Sequence, residues 1–276
     1  MEGFCIHCRA TSALDARSLV ALQPTNIKPG FHRRRCPTPV SSCFTRPVRP
    51  AYSPGMSTPI KLTYYLDLVS SWCFYAEPMY ADLQRRYAGQ VEFGWKTALI
   101  PPDGIPASQA QEEWFYRRSG TLVRWPHMLN PNWYEPGLKE YLAPNLVAEA
   151  AREFGCQDDR VRLALMRAAM VDGLKVARLE VSLEVAARAA NIAVAELRNM
   201  AETPAIEQRV RAATAEFHAL KVNQRPTFVL ASDIGDRAVI SGLVVPDPLI
   251  ATIDAMLADV AAYRSHRAHF GGPPPV

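Results

Sequence analysis

Between Ile60 and Ala98 the hydrophobic period of the chain changes twice, and this restricts its folds more than any other feature. Ile60 to Leu66 is a short run of strand-forming residues. Residues 72–88 set Phe74, Tyr75, Met79, Tyr80, Leu83 and Tyr87 at three- and four-residue spacing, which predicts a helix. Val91 to Ala98 alternates and predicts a second strand. Two strands joined by one helix form a βαβ unit, parallel and right-handed.

A second block mirrors the first. Thr227 to Leu230 reads as a short strand, residues 234–237 as a turn, and Ala238 to Ser241 as the returning strand of a hairpin. Gly242 precedes a last helix, Pro248 to Tyr263. Between the halves, Pro101-Pro102 ends the first unit and residues 103–145 read as irregular and aromatic. Residues 138–222 read as several helices, among them Leu174 to Ala190 and Val194 to Met200. Thr203-Pro204 supplies a capping residue and a first-turn proline. No internal repeat is present. The layout is similar to an α/β thioredoxin-like fold (βαβ…ββα) with a large all-helical insertion. It assigns residues 56–102 and 223–265 to the thioredoxin-like domain, 103–222 to the insertion and 266–276 to a frayed tail.

The first 55 residues are of another kind. They hold seven of the 23 prolines, four of the six cysteines, and eight Lys/Arg against two Asp/Glu. With scattered apolar residues and no period, this segment is expected to be disordered. Three explanations compete: an over-long start, with Met56 as the natural one; an organellar transit segment; and a zinc site on Cys5, Cys8, Cys36 and Cys43. Without it the chain keeps 23 basic and 25 acidic residues, which gives no charge-based reason to expect nucleic acid binding. No apolar run approaches a membrane span, so no membrane partner is expected. The expected location is cytoplasmic. The body shows no metal or nucleotide motif.

Chemistry is expected where the first strand meets its helix, at Asp67-Leu-Val-Ser70-Ser71-Trp72-Cys73. The carboxyl end of a parallel strand is where open α/β sheets place their sites. The helix amino end adds free N–H groups and a positive dipole that favour a thiolate or another anion. Ser70-Ser71-Trp72-Cys73 resembles the Cys-Pro-Trp-Cys motif of the DsbA-like thioredoxin family, with serine in place of the attacking cysteine. In the related kappa-class glutathione transferases and 2-hydroxychromene-2-carboxylate isomerases that position is also serine, and its hydroxyl holds the sulfur of glutathione. The resemblance spans residues 60–262. It implies glutathione as co-substrate, with Ser70 stabilising its thiolate and Trp72 beside it.

Each residue also has a plainer reading. Ser70 suits a helix cap. Cys73 suits a small buried hydrophobe. Trp72 suits packing, and Asp67 reads as strand-end structure. Further on, Arg225-Pro226 precedes a short apolar strand, where a proline fits a cis bond or an edge. By the resemblance this is the cis-proline that faces the active-site helix, with Arg225 and Pro226 holding the glutathione backbone. Ser241-Gly242 stands where the family often carries such a pair. Leu243-Val244 replaces the aspartate that kappa-class enzymes use for the γ-glutamyl amine, and Asp247 is the nearest acid. All five tryptophans lie between residues 72 and 133. Trp114, Trp125 and His127 are taken as the substrate pocket, or as core between insert and base. Arg117, Arg118 and Arg124 read as a positive rim or a solvated face.

Three functions fit. The first is a glutathione-dependent isomerase, transferase or reductase acting on a small electrophile. The second is a monothiol oxidoreductase using Cys73, which needs a mixed-disulfide partner because Cys156 is the only other cysteine of the body. The third is a non-catalytic peptide-binding thioredoxin fold. Partners are therefore a small molecule or a thiol, and a homodimer stays open.

Overall fold

The computed structural model describes residues 58–274. The expectations for residues 1–55, including the zinc reading, lie outside that range. The elements run β1 (Ile60–Leu66), α1 (Ser71–Arg86), β2 (Val91–Thr97), α2 (Gln109–Leu122), α3 (Ala143–Ala151), α4 (Arg160–Met170), α5 (Leu179–Ala190), α6 (Val194–Ala201), α7 (Pro204–Ala219), β3 (Thr227–Ser232), β4 (Arg237–Ser241) and α8 (Asp247–Phe270). One sheet has the order β2-β1-β3-β4. β1 and β2 pair in parallel from Ile60↔Val91 to Leu66↔Thr97, and α1 makes the crossover. β3 pairs antiparallel with both β1 and β4.

The alternation of β1 decides what covers the sheet. Ile60, Leu62, Tyr64 and Leu66 are fully buried in the main core with Cys73, Tyr80 and Leu83 of α1 and Leu249 and Ile253 of α8. Each large apolar side chain buried this way contributes roughly 1.5–3 kcal/mol. Tyr65 points the other way and packs with Phe217 of α7 and Val229. The carboxyl end of β1 therefore emerges with helices on both sides.

The insertion is all helical, α2 to α7. Its α4 enters the main core through Arg162, which is 1% exposed. The Arg162 guanidinium pairs with Glu77 of α1 and with Asp159 at 3.1 Å, and lies over the rings of Tyr64, Tyr80 and Trp95. Burial works against its charge. The two carboxylates outweigh that, so the guanidinium holds its proton more firmly than usual.

Several local expectations are corrected. Residues 103–145 are not wholly irregular, because α2 lies within them. Ser108 caps it by accepting from Gln111 N at 3.2 Å, while the Gln111 side chain accepts from Ala107 N. The helix expected from Leu174 begins only at Leu179, because Gly173 turns with φ +67° and residues 174–178 form turns. Thr203 sits at the α7 cap but donates its hydroxyl back to Met200 O at 2.7 Å. α8 continues through Phe270, into the stretch read as tail.

Candidate active site

The loop from β1 to α1 is fastened at every residue. Asp67 is buried, and its carboxylate accepts from Val69 N at 3.0 Å, Ile100 N at 2.7 Å and Asn145 Nδ2 at 3.2 Å. Leu68 N donates to Asn145 Oδ1, Ser70 N donates to Asp67 O at 3.0 Å, and Tyr116 Oη donates to Val69 O at 2.6 Å. Burial raises the Asp67 pKa against these donors and the nearby Arg225 charge. Asp67 is thus the strand-end structural residue. Asn145 and Tyr116, both from the insertion, were missed in the sequence, where nothing marks a helical Asn or Tyr as a loop clamp.

Ser70 caps α1, its hydroxyl accepting from Cys73 N at 3.4 Å, and is nearly buried. Cys73 is 0% exposed, one turn inward. Burial pushes its thiol up to about 11. The Ser70 hydroxyl, the Asp67 amide and the Tyr64 hydroxyl all act on the sulfur in the opposite direction without overcoming burial. The helix end therefore favours an anion, and the buried Cys73 sulfur is poorly placed to be that anion at neutral pH. Trp72 is half-buried, its ring edge-on to Tyr75 at 6.4 Å.

The entry to β3 meets the same end of the sheet, since Tyr65 and Thr227 are register partners. The Arg225–Pro226 peptide is cis. Gly242 N donates to Pro226 O at 2.7 Å, and Thr227 Oγ1 lies 2.8 Å from Ser241 Oγ. Gly242 has φ +79°, and a Cβ there would meet the Gln224 side chain at 3.2 Å, so glycine is required for this approach. Arg225 is neither a surface residue nor free for a carboxylate ligand. Its guanidinium donates to Ala98 O, Leu99 O and Asn223 O and stacks 4.6 Å over Phe217. Asp67 and Arg225 thereby grip one short segment, residues 98–100, from two sides. Asp247 is exposed at the start of α8.

Beside this loop is a cleft of about 330 Å³ between α1, α2 and residues 124–131. Tyr75, Tyr116, Gly120, Arg124, Trp125 and His127 are among its lining residues. Trp125 packs on Tyr75 at 5.0 Å and on Phe74 at 5.8 Å. Trp114 does not line it. That ring is 54% exposed and packs on Phe115 under Arg118. Trp133 belongs to a buried cluster with Tyr116 and Tyr141. The structure thus brings Ser70, Cys73, Arg225, Pro226, Ser241 and Gly242 to one end of the sheet. It sets Trp125 and the exposed His127 beside them and leaves Trp114 apart.

Among the described residues no group of histidine, cysteine and carboxylate side chains is arranged to hold a metal, and no helix is long and apolar enough to cross a membrane. A family model for the DSBA-like thioredoxin domain matches residues 61–253. A search of curated proteins returned no match. Among solved structures, the cytosolic disulfide reductase DsbM from Pseudomonas aeruginosa is 18% identical with a TM-score of 0.58, covering 72% of this chain and 98% of that one. The same protein with GSH gives 18% and 0.57, covering 72% and 99%. A putative protein disulfide isomerase from Nitrosomonas europaea is 17% identical with a TM-score of 0.56, covering 75% and 98%.

Proposed function

Since the chain belongs to the DSBA-like family of thioredoxin-fold oxidoreductases, we propose that it uses glutathione as co-substrate and that Ser70, rather than a cysteine of its own, meets the reactive sulfur. The observation that carries this reading is the pairing of Ser70 at the helix cap with a Cys73 that burial keeps protonated. The Ser70 oxygen already accepts the Cys73 N–H, so its own proton is available to a better acceptor than the neutral thiol beneath it. An anionic sulfur at the amino end of α1 is that acceptor, and a charge-assisted hydrogen bond there favours the thiolate. A thiolate so held is an activated nucleophile.

The surrounding residues fit a tripeptide. The loop at Arg225-Pro226 and the adjoining Ser241-Gly242 lie at the same end of the sheet, fastened to each other by Gly242 N and Pro226 O, and Arg225 keeps that loop in place rather than touching the ligand. The cleft at Trp125 and Tyr75 receives the second, electrophilic substrate. The neighbour whose structure contains GSH has the same fold, which supports the choice of ligand. The setting is the cytoplasm, where reduced glutathione is abundant.

Calorimetric titration of reduced glutathione into the full chain tests this. Saturable binding that weakens about tenfold or more in Ser70→Ala and recovers in Ser70→Thr, which keeps the hydroxyl, is expected. Absence of binding at millimolar glutathione overturns the reading.

A further inference from the structure

Tyr75 carries a buried polar atom that the protein leaves without a well-formed hydrogen bond. The residue is 5% exposed, and its hydroxyl makes no hydrogen bond of ordinary geometry within the protein, with the Ser119 side chain near enough to act on it. The neighbouring Ser119 hydroxyl spends its own proton on Ser71 Oγ at 3.0 Å or Tyr116 O at 3.1 Å and acts on Tyr75 only at longer range. A buried hydroxyl left unpaired is costly, so such groups are rare without a reason. The surroundings suggest one. Tyr75 lines the cleft beside the active-site loop, and so does Gly120 on the facing helix. A Cβ at Gly120 would lie 3.0 Å from the Tyr75 oxygen, a tight contact, so only glycine lets the hydroxyl keep this place beside the cleft. The Trp125 ring lies 5.0 Å from the Tyr75 ring and forms a flat wall. Tyr116 ties the cleft to the loop through Val69 O, the residue before Ser70.

We propose that the Tyr75 hydroxyl is reserved for a ligand, donating its hydrogen bond to the carbonyl oxygen of a neutral, planar aromatic molecule bound in this cleft against Trp125. A phenol whose ionisation burial opposes is a neutral donor, which suits an uncharged oxygen. The charged lining residues, Arg117, Arg124 and Glu113, are exposed and of both signs. The volume suits a ligand of one or two rings. This inference rests on the reading above only in calling the cleft the second-substrate subsite.

The experiment compares 2-acetylnaphthalene with 2-ethylnaphthalene, which differ in the carbonyl oxygen alone, by quenching of tryptophan fluorescence in the full chain. The ketone is expected to bind about tenfold tighter than the hydrocarbon. Tyr75→Phe is expected to erase that preference, and Gly120→Ala to weaken the ketone selectively. Tyr75→Phe removes an oxygen that makes no well-formed hydrogen bond, so its thermal midpoint should equal or exceed that of the parent. A lowered midpoint would show the hydroxyl to be structural and overturn the proposal. So would equal affinities for the two probes in the parent, a preference that survives Tyr75→Phe, or no saturable quenching by either. Ketone preference without glutathione binding sinks the glutathione reading and leaves this subsite. Glutathione binding without ketone preference does the reverse.

Discussion

Ser70 and Cys73 stand three residues apart and play opposite parts. Ser70 has a hydroxyl at the helix cap, where the unpaired N–H groups and the dipole are strongest. Cys73 has its sulfur one turn deeper, at 0% exposure. Iodoacetamide at pH 8 is therefore expected to leave Cys73 unlabelled in the native protein and to label it fully in urea, with mass spectrometry as the readout. Rapid native labelling would restore the monothiol mechanism. The same burial has a consequence for stability. The native thiol keeps its proton up to about 11, whereas its ordinary value is 9.0. Over that interval the unfolded chain releases the proton and the native chain does not. The contribution of Cys73 to stability is thus intact below pH 9 and is lost as pH rises toward 11. Urea titrations at pH 8 and pH 10.5 should show the decline, and Cys73→Ala should flatten it.

At the scale of elements, α1 is held to α4 by a buried charge. Arg162→Leu leaves Glu77 and Asp159 facing a desolvated gap, and is expected to cost roughly 3–5 kcal/mol in urea denaturation. Adding Glu77→Leu should recover part of that, because no unpaired carboxylate then remains on α1. A single variant as stable as the parent would show that the ion pair does not hold the two helices. The elements themselves were largely legible in the sequence. β1, β2 and α1 followed from the change between strand and helix periods, and the hairpin from the turn at residues 234–237. What escaped was α2, whose aromatic residues and arginines obscure its period, although Ser108 and Gln111 form a readable capping pair. The cap at Ser70 and the cis bond at Pro226 were legible because backbone geometry restricts the residue types at such places. Asn145, Tyr116 and Tyr75 were not, because their roles arise from contacts across 77, 47 and 45 residues of chain, respectively. Arg225 has backbone carbonyls as its partners, and these leave no mark in a sequence.

For the molecule as a whole, the main core does not stop at the insertion. It joins Leu62 and Tyr64 of the sheet and Leu83 of α1 to Val147, Leu165, Leu183 and Leu197 of the insertion helices. Unfolding in urea is therefore expected to be one transition, with tryptophan fluorescence and far-ultraviolet circular dichroism coinciding. The tryptophans report residues 72–133, and the dichroism is dominated by helices that lie largely beyond them. Two separated midpoints would mean that the insertion folds as an independent unit. The serine at the head of α1 also changes what the surroundings can do to this protein. A loop with two cysteines is a half-cell, and its occupancy follows the ratio of reduced to oxidised thiol around it through the Nernst relation. With Ser70 at one end and a buried sulfur at the other, this loop has no potential of its own to be poised. Under the proposed chemistry the molecule responds to how much reduced glutathione is present, as any saturable binder does, and not to how oxidising its compartment is.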